Sequence, residues 1–403
     1  MDIRDEAMQL RNEKHQMIKT GLNAKMENSH DLAVVYTPGV AAPCLAIKEE
    51  EDKSLELTWR GNVVAVISDG TRVLGLGDIG PAAAMPVMEG KSALYKRFGN
   101  IDAIPIVLNT KDKDEIVRTI RILEKSFAGI NLEDFSSPKC YDIEDELKAT
   151  MNIPVFHDDQ HGTAIAALAA VLGALRLIKK GIGKAKVVMF GAGAAGTAIA
   201  RLLLEDGVKP ENMTVLNSKG ILYDDGRLNR VQKELAKKVN PENRQGTFAD
   251  AVKGADILLA TSAPAAFKEM HKEAIKTMAE KNVVFAMANP IPEMMLSDAQ
   301  ELGVYVFGTG RSDMPNQVNN SSVFPGLFRG ALDVRARQIN EPMKLAAAHA
   351  LADLVSDEEL KPEYVVVDVF DPRVPHAVAK ASAKAAIESG VARVTELPEQ
   401  YKD

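Results

Sequence analysis

Cysteine is nearly absent: Cys44 and Cys140 are the only two in 403 residues. Two thiols make no disulfide framework and no thiolate metal site, and they suit a reducing compartment. Long hydrophobic runs are missing as well. No stretch reaches 18 uninterrupted apolar residues, so nothing in the sequence reads as a membrane span. The longest run, TAIAALAAVLGALRLI, is broken by Gly173 and Arg176 and reads as a buried helix. Positive charge is not in excess, with 49 Lys and Arg against 56 Asp and Glu, a net charge of -7. That balance argues against nonspecific nucleic-acid binding. The opening MDIRDEAMQLRNEKH is charged and lacks an apolar core, so it reads as no secretory signal. The expectation is a cytoplasmic protein with no membrane and no nucleic-acid partner.

What is present is an ordinary globular composition, 46% hydrophobic and 26% charged, in a chain long enough for two domains. Short apolar runs ending in polar or Gly-rich turns recur along it. VVAVISDG (63–70) and AIPIVLN (103–109) read as strands. Between 112 and 127, Ile116, Val117, Ile120, Leu123 and Phe127 repeat with helical spacing. Further strands lead into NLEDF and IPVFHDD, and the first 30 residues read as helical and polar. The long helix at 163–179 exits through a Gly- and Lys-rich stretch, 179–186, suited to a hinge. Beyond it MTVLNSKG, ADILLATSAP, NVVFAMANP and YVFGTGRS alternate with helical stretches at 229–239 and 268–279. That is the pattern of a doubly wound parallel sheet. Two helical blocks follow from about 343. The fold class expected is α/β. An N-terminal α/β substrate domain spans 1–162, a Rossmann-type NAD(P)-binding domain spans 163–385, and a tail spans 386–403.

Two stretches carry the GxGxxG spacing. In GAGAAG (Gly191, Ala192, Gly193, Ala194, Ala195, Gly196) a strand runs straight in and a helical pattern follows. Gly191 permits the tight turn, Gly193 lets the backbone approach a pyrophosphate, and Gly196 lets helix and strand pack closely. The free N–H groups of the helix start then meet the phosphates. GLGDIG has the same spacing at Gly75, Gly77 and Gly80, but Pro81 and Pro86 should interrupt any helix after it. It reads as close backbone packing around a substrate. The second strand of the dinucleotide domain ends in VLNSKG. No acid stands there to accept both ribose hydroxyls of NAD. Asn217, Ser218 and Lys219 suit a 2'-phosphate, so NADP is favoured over NAD.

Two acidic pairs, Glu133 with Asp134 and Asp158 with Asp159, sit beside apolar sequence. Carboxylates at converging strand ends suit a hard divalent ion. Helix capping by Asp158 and Asp159, with surface salt bridges for the other pair, is the competing explanation, and spacing leaves both open. His157 and His161 flank the second pair. With no cysteine beside them they read as packing or supporting residues, not zinc ligands.

Several ordered motifs resemble the malic enzymes, in particular their short microbial form. They are YTPGVA (36–41), SDGTRVLGLGDIG (68–80), GKSALY (90–95), NLEDF (131–135), FHDDQHGTA (156–164), FGAGAAG (190–196), MANP (287–290) and NQVNNSSVFPG (316–326). The resemblance implies oxidative decarboxylation of L-malate to pyruvate and CO2, with NADP or NAD and with Mg2+ or Mn2+. It implies metal ligation by Glu133, Asp134 and Asp159. It puts a catalytic tyrosine at Tyr36 and a catalytic lysine at Lys91, with Asp158 able to orient the lysine. It puts substrate contacts at Arg72, Asn289 and Asn320, with Asn289 also near the nicotinamide ribose, and it implies a homodimer. For Lys91 to act as a base its pKa has to be lowered, by burial or by nearby cations. Two rivals remain: a metal-dependent dehydrogenase for another 2-hydroxy acid that releases no CO2, and a dinucleotide-sensing module without turnover.

Overall fold

Ten strands form two sheets in the computed structural model, which describes residues 3–14, 16–73 and 75–402. The first sheet holds β1 (Val63–Ser68), β2 (Asp102–Val107), β3 (Gly129–Leu132) and β4 (Val155–His157), in the order β2-β1-β3-β4. All its pairs are parallel. β1 and β3 are fully buried and apolar apart from Ser68 and Asn131, as strands covered on both faces tend to be. Ile67 pairs with Leu132 and Leu132 with His157. The polar residues that follow these strands therefore leave the sheet at one rim.

The second sheet holds β5 (Val187–Phe190), β6 (Met213–Asn217), β7 (Gly220–Ile221), β8 (Ile257–Ala260), β9 (Val283–Ala286) and β10 (Val306–Thr309). Its order is β10-β9-β8-β5-β6-β7, parallel except for the short return of β7 on β6. The chain leaves β5 toward β6 on one side and later places β8 on the other. That reversal makes the crevice where a doubly wound sheet binds its ligand. The α/β class with a parallel dinucleotide-type sheet is as the sequence predicts.

One helix, Asp158–Leu177, ties the two sheets together. It is the only described helix long and apolar enough to cross a membrane, but 78% of its apolar window is buried inside the protein. Leu168 and Val171 belong to a core that also takes in Val64 and Val66 of β1, Val187 and Met189 of β5, and Leu351 and Val378 of the C-terminal helices. Because one packed core spans both sheets, residues from either can be held at fixed positions in the cleft between them.

Three local expectations need correction. The prolines after Gly80 do not break a helix: Pro81–Gly99 is one continuous helix. Pro81 sits in the first turn, where its missing N–H is not needed. Pro86 forfeits one hydrogen bond in the interior, and its carbonyl accepts from Arg11 at 3.0 Å. The first 30 residues are not one helical stretch. Ile3–Lys14 is helical, 16–28 is not, and the next helix is Ser29–Val35. The helix expected over 268–279 is shorter, Glu269–Ile275. In the first case proline propensity misled, because the N-terminal tolerance for proline and the packing of the helix outweigh it.

Candidate active site

The rim of the first sheet gathers most of the polar residues singled out above. β3 delivers Glu133 and Asp134, and β4 runs directly into Asp158 and Asp159 in the first turn of the Asp158–Leu177 helix. Lys91 comes from the middle of the Pro81–Gly99 helix and is 7% exposed. Its Nζ donates to Asp158 Oδ2 at 2.5 Å and lies 2.8 Å from Glu133 Oε1. The ammonium also stands 4.3 Å over the centre of the Phe324 ring, a cation–π contact.

The capping explanation for the acids does not hold. The Asp158–Leu177 helix has no side-chain cap, and Asp158 Oδ1 is buried without a hydrogen-bond partner. Glu133 and Asp134 are 4% and 3% exposed, so neither forms a surface ion pair. Burial and the neighbouring acids push Glu133 up to about 8, although Lys91 pulls the other way. Asp158 is raised by burial too, again opposed by Lys91.

For Lys91 the structure departs from the sequence expectation. Burial lowers its pKa, but the charges of Asp158 and Glu133 outweigh burial, and the net direction is upward. Without a competing cation the lysine is held as a buried ammonium between two carboxylates. The expected lowering requires a positive charge that takes Glu133 away from it.

Asp134 adopts the left-handed region at φ 59°, which costs a non-glycine residue roughly 1–2 kcal/mol. The turn aims its N–H at Asp159 Oδ2, 2.8 Å away. Asp159 is partly open to solvent and faces His157 Nε2 at 3.4 Å. Burial works against the Asp159 charge, but His157 outweighs it and holds the carboxylate below its ordinary range. The donor set of Glu133, Asp134 and Asp159 is all oxygen and suits Mg2+ or Mn2+. Among the described residues no three His, Cys, Asp or Glu side chains stand gathered around one point. Glu133 is turned onto Lys91 instead. The chemistry and the shared rim fit the ion, and the shortage of positive charge at Glu133 is what an added cation would relieve.

Two asparagines complete the cleft from the other side. A side chain at Gly162 would meet Asp158 Oδ1 at 1.9 Å and Asn320 Cβ at 3.0 Å, so only glycine lets these elements meet. Asn320 is therefore beside Asp158. Asn289 lies at the end of the segment after β9. The loop after β1 backs onto it, since a side chain at Gly75 would meet the Asn289 carbonyl at 3.0 Å. GLGDIG is thus a close backbone packing element with no strand running directly into it. The same loop is fixed by Asp69, which accepts from Thr71 Oγ1 at 2.6 Å and from Lys139. Arg72 is exposed at its tip, with its N–H on the Asp134 carbonyl at 2.9 Å.

Tyr36 is not brought to this cluster. It is 66% exposed, at the end of the Ser29–Val35 helix.

The dinucleotide loop follows its expected geometry. β5 enters Gly191 at φ 114°, Gly193 caps the Ala194–Glu205 helix, and a side chain at Gly196 would strike the Gly191 carbonyl at 1.8 Å. Lys219 follows β6 and is largely exposed. Its N–H donates to Asn217 Oδ1 at 2.8 Å and its Nζ is 3.5 Å from Asp225.

Sequence reasoning missed several supporting residues. Tyr95, one helical turn beyond Lys91, donates to Asn131 Oδ1 at 2.9 Å, and Asn131 donates to Glu133 Oε2 at 2.8 Å. The Lys91-to-Tyr95 spacing of four was the available signal. Behind the rim, buried Glu144 accepts from Gln160 at 3.0 Å, from His161 at 2.9 Å and from Lys148 at 2.5 Å. Burial alone would raise Glu144, but His161 and Lys148 hold it well below the carboxylate range. Gln160 also meets His157 Nδ1 at 2.8 Å, which leaves the proton on Nε2, facing Asp159. Buried Thr261 Oγ1, at the end of β8, has no partner and sits beside Gly196.

Known proteins agree with this architecture. The chain matches the family model for the malic enzyme N-terminal domain over residues 12–148 and that for the malic enzyme NAD-binding domain over 160–388. It is 50% identical to a bifunctional malic/malolactic enzyme of Bacillus subtilis (strain 168), covering 100% of this chain and 98% of that one. It is 49% identical to an NAD-dependent malic enzyme of Geobacillus stearothermophilus, over 94% of this chain and 79% of that one. A crystal structure of malic enzyme from Pyrococcus horikoshii Ot3 superposes with a TM-score of 0.91 at 43% identity, over 97% of this chain and 92% of the other. Two family models that together span nearly the whole chain, over a cleft that joins buried acids, a lysine and a dinucleotide loop, leave one conclusion: the chain belongs to the malic enzyme family, oxidoreductases that use NAD or NADP to oxidise and decarboxylate malate.

Proposed function

We propose that malate is oxidised at the rim of the first sheet, with Lys91 as the base and Tyr36 as the acid. The observation that carries this reading is the position of Lys91 Nζ, 2.5 Å from Asp158 and 2.8 Å from Glu133 on the wall of a cleft that also holds Asn320. Arg72, Asn289 and Asn320 supply the donors that a dicarboxylate needs. Glu133, Asp134 and Asp159 would hold Mg2+ or Mn2+. A bound ion would supply polarisation of the C2 oxygen and stabilisation of negative charge on it, and a bound dinucleotide would supply the hydride acceptor. Lys91 removes the proton from the malate C2 hydroxyl. Asp158 keeps the lysine pointed at that oxygen, and the Phe324 ring covers its other side. Tyr36 returns a proton to C3 after decarboxylation.

The test is stoichiometry. With malate, Mn2+ and NADP or NAD, equal amounts of CO2, pyruvate and reduced dinucleotide are expected. Reduced dinucleotide without CO2 would make the protein a 2-hydroxy-acid dehydrogenase that does not decarboxylate. Dinucleotide binding with no turnover would make it a sensor.

NADP is the preferred dinucleotide in this reading, because the β6 end offers Asn217, Ser218 and Lys219 and no acid. Among the described residues the Lys219 Nζ is held by one ion pair, 3.5 Å to Asp225, which leaves it able to turn to a 2'-phosphate. Lys219→Ala is expected to cost NADP binding roughly 1–3 kcal/mol, the range for a charged hydrogen bond, and to leave NAD binding nearly unchanged. Equal losses for both dinucleotides would remove Lys219 as the discriminator. A wild-type preference for NAD, the dinucleotide that names the Geobacillus relative, would overturn the larger claim. The assembly proposed is a homodimer. A cytoplasmic location fits the two unpaired cysteines, of which Cys140 is buried and its thiol pushed up to about 12 by burial.

A further inference from the structure

Among the described residues, the cleft of one chain has a base and acidic residues but no free tyrosine hydroxyl. Tyr95 is the tyrosine at the cluster, and its hydroxyl proton is engaged by Asn131. Tyr36 makes no side-chain hydrogen bond and no ring contact among the described residues, and it is 66% exposed. The helices on either side of it, Ser29–Val35 and Ala41–Glu49, bury no residue. Leu32 and Val34 on the first of these helices, Val40 just before the second and Leu45 within it are exposed, as is Trp59. Helices of seven and nine residues are marginal in water without a packed apolar face. Several exposed apolar side chains on one short helical arm call for a cover.

The mouth of the cleft presents the complementary surface. Leu76, on the loop that backs Asn289, is 67% exposed, and Ile291, just beyond Asn289, is 49% exposed. An apolar arm that carries an idle tyrosine and an apolar rim around a site that lacks one are two halves of a single contact. They lie on the same chain, so a two-fold pair satisfies both at once: each arm covers the other copy's rim.

We propose that Tyr36 serves the active site of a second copy of this chain, so that each site is completed in trans. The occupant of the arm's apolar face is the partner's cleft mouth. The inference rests on the reading of Tyr36 as the acid. The protons balance across the two chains. Lys91 of one chain takes the proton of the malate C2 hydroxyl. When CO2 has left, the Tyr36 O–H bond of the other chain breaks as the C3–H bond forms. The tyrosine oxygen then recovers the proton held on Lys91, and both groups return to their starting states.

Mixed dimers decide it. Tyr36→Phe and Lys91→Met chains carry different affinity tags, are co-expressed, and are purified through both tags in turn. Each variant alone is expected to be nearly inactive. If Tyr36 acts in trans, the mixed dimer has one site with an intact Lys91 and an intact Tyr36, and its activity should rise to about half that of the wild-type dimer. If Tyr36 acts in cis, both sites stay broken and nothing is restored. That result overturns the proposal, as would a wild-type protein that is active as a monomer. Activity of the Tyr36→Phe homodimer at the wild-type rate would instead sink the assignment of tyrosine as the acid. Pairing Tyr36→Phe with Asp159→Asn gives a second mixed dimer, in case Lys91→Met does not fold. The same half-restoration is expected, and its absence would equally count against action in trans.

Discussion

Lys91→Ala is expected to lower malate oxidation by about 100- to 10,000-fold, the usual worth of a positioned acid or base. Dinucleotide binding should change little, because the phosphate loop at Gly191 to Gly196 lies on the other sheet. The expectation follows from how completely the lysine is engaged. Its Nζ is buried, held by Asp158 and Glu133, and capped by Phe324. No second lysine is hydrogen-bonded or ion-paired to those two carboxylates among the described residues. Removing one partner of a buried ion pair costs about 3–5 kcal/mol, so melting curves come first. Glu133, already pushed up to about 8, relieves part of that cost by taking a proton. The Lys91 pair adds stability below the lysine's unfolded pKa, and this is lost only as pH rises through its raised folded value. Glu133, pushed up to about 8, titrates inside the range from pH 6 to 9, so the melting curves of wild type and variant are compared at one fixed pH. Small primary amines should restore part of the oxidation rate in the variant. Wild-type oxidation by Lys91→Ala across that pH range would exclude lysine as the base.

The two sheets were legible because each strand is a short apolar run closed by turn residues, a signal that survives without tertiary information. GAGAAG was legible because strand, glycine spacing and helix coincide in one stretch. The acids, Lys91 and the asparagines were legible as motifs but not as a cluster. Lys91 and Asp158 are 67 residues apart, and only the parallel register of β1, β3 and β4 brings their elements to one rim. The network behind the rim was hidden for the same reason: Lys344 reaches His161 at 3.0 Å across 183 residues. Pro86 misled because propensity counts the lost hydrogen bond and not the packing that offsets it. The upward shift of Lys91 was missed because burial, the effect that sequence context suggests, is smaller here than two carboxylates in contact. Tyr36 shows the opposite limit. Its motif stands out in the sequence, while the single chain leaves it 66% exposed at the end of the Ser29–Val35 helix.

Asp159→Asn should weaken Mn2+ binding by about 100-fold or more, since even the outer partners of a metal site cost 10- to 100-fold when changed. The substitution keeps shape. The asparagine carbonyl can still accept the Asp134 N–H that Asp159 accepts at 2.8 Å, so the left-handed turn at Asp134 stays supported. What is lost is one negative charge on the side of the cluster that Lys91 does not touch. The His157 ring keeps its contact with Gln160, and the asparagine still faces its Nε2. Mn2+ titration by calorimetry, without malate or dinucleotide, reads the affinity directly. Dinucleotide binding, followed by fluorescence, should be nearly unchanged. Asp158→Asn is the informative neighbour. It is adjacent in sequence, but its Oδ2 is bound to Lys91, so it should lower the rate of oxidation while leaving Mn2+ affinity within a few-fold of wild type. Unchanged metal affinity in Asp159→Asn would remove it from the ligand set. Equal loss of metal affinity in both variants would mean that the ion binds through Asp158 as well, and that Lys91 must give up this carboxylate along with Glu133 when the site fills.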